Sequence, residues 1–140
     1  MKFTEWLPVF GDTNYRGDCP KETVEQMTFV ARVRREHPDT FGRLIVHVQN
    51  EGKRTHGQAF YAKASGLSKG ASDIIIPARV PFVCEMKRAD HTKSSWQDVQ
   101  IEYLQAAQNA GAFVCVALGA NGATEAFNHW LAEYGNTTQT

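Results

Sequence analysis

Three ionisable residues stand where a buried strand would exclude them. In SDIIIPARVPFVCEMKRAD, Ser72 to Asp90, Asp73 precedes one apolar run, and Glu85 and Lys87 end the next. Side chains alternate faces along a strand, so Glu85 and Lys87 point one way and Cys84 and Met86 the other. Ionised groups in an apolar interior are costly unless paired or bound to a metal. A hairpin turning through Pro77-Ala78-Arg79 returns Asp73 to the side of Glu85 and Lys87, so three charges share one small volume. Two carboxylates with a backbone carbonyl make a hard oxygen site suited to Mg²⁺, which keeps several waters and takes phosphate oxygens. A lysine beside such a site orients an attacking water or neutralises charge in the transition state. That is the chemistry of phosphodiester hydrolysis. The plain structural alternative has Asp73 capping a turn and Glu85 pairing with Lys87 at a strand end. Asp-x(n)-Glu-x-Lys by itself does not separate the two.

The flanking pattern supplies elements to position these groups. Pro8, Gly11, Asn14, Gly17 and Asp18 punctuate the opening too densely for a long element, which predicts an irregular arm over 1–19. From Pro20, residues Val24, Met27, Val30, Ala31 and Val33 recur at helical spacing until HPDTFG, so a helix is expected. RLIVHVQ, Arg43 to Gln49, reads as a strand. A short helix over 57–65 follows, then a loop between Gly66 and Gly70, then the two strands of the hairpin. Residues 95–110 suit a helix ended by Gly111, AFVCVAL suits a strand covered on both faces, and 122–134 suits a closing helix before a frayed tail over 135–140. His129 and Trp130 on that helix read as packing or interface residues. The order αβαββαβα is that of an α/β fold, a mixed sheet flanked by helices.

At 140 residues the chain fits one domain, 1–140, and 42% hydrophobic with 21% charged residues is an ordinary globular composition. No apolar run reaches the roughly 20 residues that cross a bilayer, and MKFTEWLPVFGD lacks a signal core, so no membrane and a cytoplasmic location are expected. Cys19, Cys84 and Cys115 contain no CxxC pair, and two lie in apolar runs, which reads as buried free thiols. Formal net charge is zero, but residues 1–42, 43–95 and 96–140 carry −1, +5 and −4. The basic middle segment can face phosphate, although a solvated charged face accounts for it equally well.

The layout resembles the PD-(D/E)XK nuclease superfamily, and within it the VRR-NUC branch of phage and repair nucleases. The resemblance covers about Lys21 to Leu118. It rests on KETVEQ, HVQNEGKR, the loop GLSKGASD, the EMK of Glu85 to Lys87, and SSWQDVQIEYL followed by Gly111. Ser72 stands where proline often precedes the aspartate, a departure that leaves Asp73 its role. The resemblance implies a restriction-endonuclease-like mixed sheet with Asp73, Glu85 and the backbone carbonyl of Met86 as metal ligands, and Lys87 as the catalytic lysine. It also implies a further carboxylate from the first helix, either Glu22 or Glu25. Gln26 shares a helical face with Glu22. The glutamine of the later helix is Gln97 or Gln100; the resemblance favours Gln100, whose spacing to Gly111 and place just before Tyr103 fit the family better. His47, Asn50 and Glu51 match an HxxNEG stretch that lines the DNA groove or braces the site. Lys53, Arg54, Lys63, Lys69, Arg88 and Lys93, with Asn50, are candidate DNA contacts. Trp96 either stacks on a base or packs in the core.

The expected function is a Mg²⁺- or Mn²⁺-dependent DNA endonuclease without organic cofactor, acting on branched DNA such as Holliday junctions as a homodimer of the small phage type. Two symmetric centres would nick a two-fold symmetric junction, with the C-terminal segment, free of Lys and Arg, as the subunit contact. The alternatives are a nuclease on unbranched DNA, restriction-like or exonucleolytic, and a non-catalytic DNA-binding module on the same fold.

Overall fold

The computed structural model describes residues 4–48, 56–66 and 70–135. Among these, five strands form one mixed sheet: β1 (Val9–Phe10), β2 (Val46–His47), β3 (Ile74–Ile76), β4 (Phe82–Lys87) and β5 (Phe113–Leu118), in the order β1-β5-β4-β3-β2. β3 runs antiparallel to both β2 and β4, whereas β5 is parallel to β4 and to β1. The helices are α1 (Glu22–Glu36), α2 (Phe41–Leu44), α3 (His56–Ala64), α4 (Asp98–Asn109) and α5 (Gly119–Tyr134).

Every residue of β4 is buried, because the strand is central and both its faces are covered. Phe82, Cys84 and Met86 join Phe29 and Val33 of α1 and Phe127 and Trp130 of α5 in one core. On the opposite face Val83 packs with Leu104 of α4 and with Val114, Val116 and Leu118 of β5. Glu85 and Lys87 follow Val83 on this α4 face, so the strand periodicity read from the sequence sets their direction. α1 carries Glu22 and Glu25 in its first turn and Arg34 and Arg35 in its last, which complements the helix dipole. Gln26, Phe29 and Val33 are its buried stripe.

Several elements depart from the sequence expectation. Among the described residues of the strand expected over 43–49, only Val46–His47 is strand, and Phe41–Leu44 is a helical turn. Phe41 is buried, with its ring 5.1 Å from Trp130 and 5.8 Å from Phe127. Burying that aromatic side chain outweighs the β preference of the residues after it. The expected irregular arm contains β1, whose register pairs Val9 with Val116 and Phe10 with Ala117, extended by Val116 N–H donating to the Pro8 carbonyl at 2.9 Å. Pro8 serves there as an acceptor only, as an edge position allows. Gly122 makes room for this edge, since a Cβ at that position would lie 2.6 Å from the Phe10 carbonyl oxygen. α5 also starts earlier than expected, at Gly119. Trp130, read from sequence as packing or interface, is wholly buried and donates its indole N–H to the Val80 carbonyl at 2.8 Å. Among the described residues no helix is long and apolar enough to cross a membrane.

Candidate active site

The β3–β4 register pairs Ile74 with Cys84, so one step further Asp73 stands opposite Glu85. Asp73 Oδ2 accepts the Met86 N–H at 2.9 Å, and the Asp73 carbonyl accepts the Val48 N–H at 2.8 Å. The N–H and C=O of one strand residue face the same neighbour. The Met86 carbonyl therefore looks toward the β3 side of the strand. Lys87 Nζ lies 3.7 Å from Glu85 Oε1, with each residue only 2% exposed. Glu85 Oε2 is buried without a hydrogen-bond partner. Burial first, and then the charge of Asp73, push the Glu85 carboxyl well above its usual range; Lys87 opposes the shift and Glu22 adds to it.

The two ambiguities left by the sequence resolve into different contacts. Glu22 Oε2 accepts the Ser94 hydroxyl at 3.0 Å, and its charge bears on Glu85. Glu25 instead accepts the Ala120 N–H at 3.1 Å and thereby caps α5. Gly119, at φ 71°, keeps that space open, because a Cβ there would lie against Glu25 Oε2. On α4, Gln100 Oε1 accepts both Lys87 Nζ at 3.1 Å and the Gln97 N–H at 3.1 Å, while Gln97 is exposed at the helix start. Gln26 is 2% exposed, and its Nε2 has no partner.

The candidate DNA contacts divide as well. Arg88 donates to the Cys19 and Pro20 carbonyls at 2.6 and 3.1 Å, and Lys93 to the Gly17 carbonyl at 2.8 Å, so both strap the N-terminal arm to the loop after β4. Lys63 and His47 are exposed on α3 and β2. Lys53, Arg54, Lys69, Asn50 and Glu51 lie outside the described residues.

Sequence reasoning reached Arg88, Lys93 and Trp96 of the loop after β4, but passed over Asp90, Ser94 and Ser95. Ser95 offers its carbonyl to Lys87 Nζ at 2.6 Å, and the Trp96 ring lies with its centroid 4.5 Å from the same nitrogen. Ser94 Oγ accepts the Arg88 N–H at 2.9 Å. Asp90, 3% exposed, accepts from the Thr92 hydroxyl (2.6 Å), the Thr92 N–H (3.1 Å) and the Gly17 N–H (3.0 Å). The Thr92 hydroxyl above all, with the Gly17 N–H, holds its carboxyl down at about 2. The Asp-x-Thr spacing of a side-chain turn was the available signal for Asp90; a backbone carbonyl leaves none.

Among the described residues, no group of three or more His, Cys, Asp and Glu could hold a metal ion. The oxygen donors present nevertheless suit Mg²⁺, which takes one or two carboxylates and completes its shell with water and phosphate. Asp73 and Glu85, with its unpaired buried oxygen, are the carboxylates that would hold such an ion, and the Met86 carbonyl would be the backbone donor. A cleft of about 460 Å³ opens elsewhere, between the arm and the N-termini of α1 and α5, lined by Asp12, Asp18, Glu25 and Glu125 among others. It includes none of Asp73, Glu85 and Lys87, and its acidic lining repels phosphate.

No protein-family model matches the chain, and no curated protein does. A solved structure described as a VRR_NUC domain protein superposes with a TM-score of 0.67 at 18% identity, over 84% of this chain and 92% of that one. The mixed sheet and its flanking helices thus share one architecture with that protein: the chain has the fold of a VRR_NUC domain.

Proposed function

We propose that the protein is a divalent-metal-dependent DNA endonuclease that hydrolyses phosphodiester bonds and prefers branched DNA such as Holliday junctions. The observation that carries this reading is the meeting of Asp73, Glu85 and Lys87 at the open end of the hairpin, with one Glu85 oxygen buried and unpaired. In this reading Asp73, Glu85 and the Met86 carbonyl hold Mg²⁺ or Mn²⁺, with Glu22 within reach of the same volume. The bound ion supplies Lewis acidity and neutralises charge on the phosphoryl oxygens. Lys87 presents N–H groups that orient the attacking water and counter negative charge as it develops. Gln100 holds that ammonium in place. Lys63 and the basic residues Lys53, Arg54 and Lys69 take the DNA backbone, an electrostatic task that needs no sequence readout.

The testing experiment compares cleavage of a synthetic four-way junction with that of the same arms as linear duplex, with and without Mg²⁺. Metal-dependent junction cleavage that outpaces duplex cleavage is expected, together with loss of both in Asp73→Ala and Lys87→Ala. Equal rates on the two substrates would remove the preference for branches. Full activity in Asp73→Ala would overturn the site.

A further inference from the structure

Lys87 is held by more than a strand-end ion pair requires. Its ammonium donates to the Ser95 carbonyl at 2.6 Å and to Gln100 Oε1 at 3.1 Å, and it lies 4.5 Å from the centroid of the Trp96 ring. Glu85 Oε1, at 3.7 Å, is beyond hydrogen-bonding distance. The loop and α4 therefore draw the ammonium away from a carboxylate whose other oxygen is buried and unpaired. Charge attraction in a buried site is strong, so a lysine without that hold would close on Glu85.

Trp96 is suited to prevent this. An indole face attracts an ammonium electrostatically, and it shuts out water without adding a proton acceptor that would compete with the Ser95 carbonyl. The ring is itself fixed, because it packs against the cluster that contains Leu104 and Val116. Its chain neighbours act on the same group: Ser95 supplies a carbonyl, and the Gln97 N–H orients Gln100 Oε1. Ser95 and Trp96 thus meet one nitrogen directly, and Gln97 acts on it through Gln100.

We propose that Trp96 is a positioning residue for Lys87: its ring face keeps the ammonium on the Ser95 carbonyl and Gln100, and off Glu85, so that the carboxylate stays open to a divalent cation. What Lys87 and Glu85 accomplish rests on the nuclease reading above; the hold on Lys87 does not. The test uses Trp96→Leu and Trp96→Phe, with Trp96→Met in place of the leucine variant should that one not fold. One readout is the acetylation rate of Lys87 by an N-hydroxysuccinimide ester in metal-free protein at a single pH, mapped by mass spectrometry. The other is kcat and KM for junction cleavage with Mg²⁺. Loss of the ring lets the ammonium close on Glu85 and withdraws it from the reagent, so Lys87 labelling should slow by roughly 2- to 30-fold, the span between exposed and desolvated cation–π contacts. It should lower kcat by a similar factor with KM unchanged, and phenylalanine should restore most of both. Unchanged labelling in the leucine variant, or equal behaviour of leucine and phenylalanine, overturns the proposal. Absence of cleavage by the native protein would remove the nuclease reading alone, since the labelling arm still decides whether Trp96 holds Lys87.

Discussion

Glu85 and Lys87 were legible in the sequence because ionisable groups at the end of an apolar run contradict their surroundings, and a contradiction is visible without coordinates. The groups that hold them were not. Ser95 acts through a carbonyl that every residue possesses, and Trp96 acts through a ring that would pack equally well elsewhere. Between the two glutamines, which spacing left close, the contacts differ: Gln100 meets Lys87, and Gln97 does so only through Gln100. Gln100→Leu removes a hydrogen bond to a charged group, so kcat should fall about tenfold or more, whereas Gln97→Ala should leave turnover within about twofold. A cleavage assay in which Gln97→Ala is the more damaged enzyme would reverse the assignment. Asp90 makes a separate prediction from its carboxyl, held down at about 2 against an ordinary 3.8. A lowered folded-state value gives stability that is full above the unfolded value and disappears as pH falls through the folded one. Wild type should therefore lose an increment of stability between about pH 4 and pH 2. Asp90→Asn should lack that limb, which denaturant melts across the range will register.

At the scale of elements, the β3–β4 hairpin and both long helices on the sheet's faces follow from periodicities of two and of 3.6. The segment after His37 did not, because two signals conflicted. Its β-branched run favours a strand, and only the distant Phe127 and Trp130 make burial of Phe41 decisive. Phe41→Ala should consequently cost about 3 to 5 kcal/mol, as removal of a buried aromatic does. Calorimetry that finds less than about 1 kcal/mol would show that the α2 turn is not anchored by that ring. The edge strand β1 is a second case, since two residues carry no period at all. Gly122→Ala would set a methyl 2.6 Å from the Phe10 carbonyl oxygen, which must displace β1 from α5. Faster amide exchange at Val116, whose N–H bonds to Pro8, with exchange at β3 and β4 unchanged, is the expected signature.

For the whole molecule, the uneven charge along the chain becomes an arrangement in space. The basic middle segment contributes β2, α3 and the hairpin, whereas α4 and α5 carry no Lys or Arg. A two-fold symmetric junction is matched by a two-fold symmetric enzyme, so we expect a particle of twice 15.6 kDa in sedimentation experiments. A monomer at the concentrations that support paired nicking would remove the dimer from the reading. The apolar side of α5 is spent on Phe127 and Trp130 inside the core, so a dimer of the proposed kind would have to use the exposed positions of that helix or other faces. Domain extent and oligomeric state are poorly legible from sequence for this reason: a core stripe and an interface stripe look alike until neighbours are placed. The pairing of Val9 with Val116 joins residues separated by most of the chain. Closing so long a loop is entropically slow, and β1 cannot dock before β5 has been synthesised. The same arm is tied by Gly17, Cys19 and Pro20 to the loop that presents Ser94 and Ser95 to Glu22 and Lys87. The arm thus needs both β5 and the loop after β4 to be present before it can dock, and a nascent chain that has not yet made β5 would carry the acidic hairpin without β1 seated beside it.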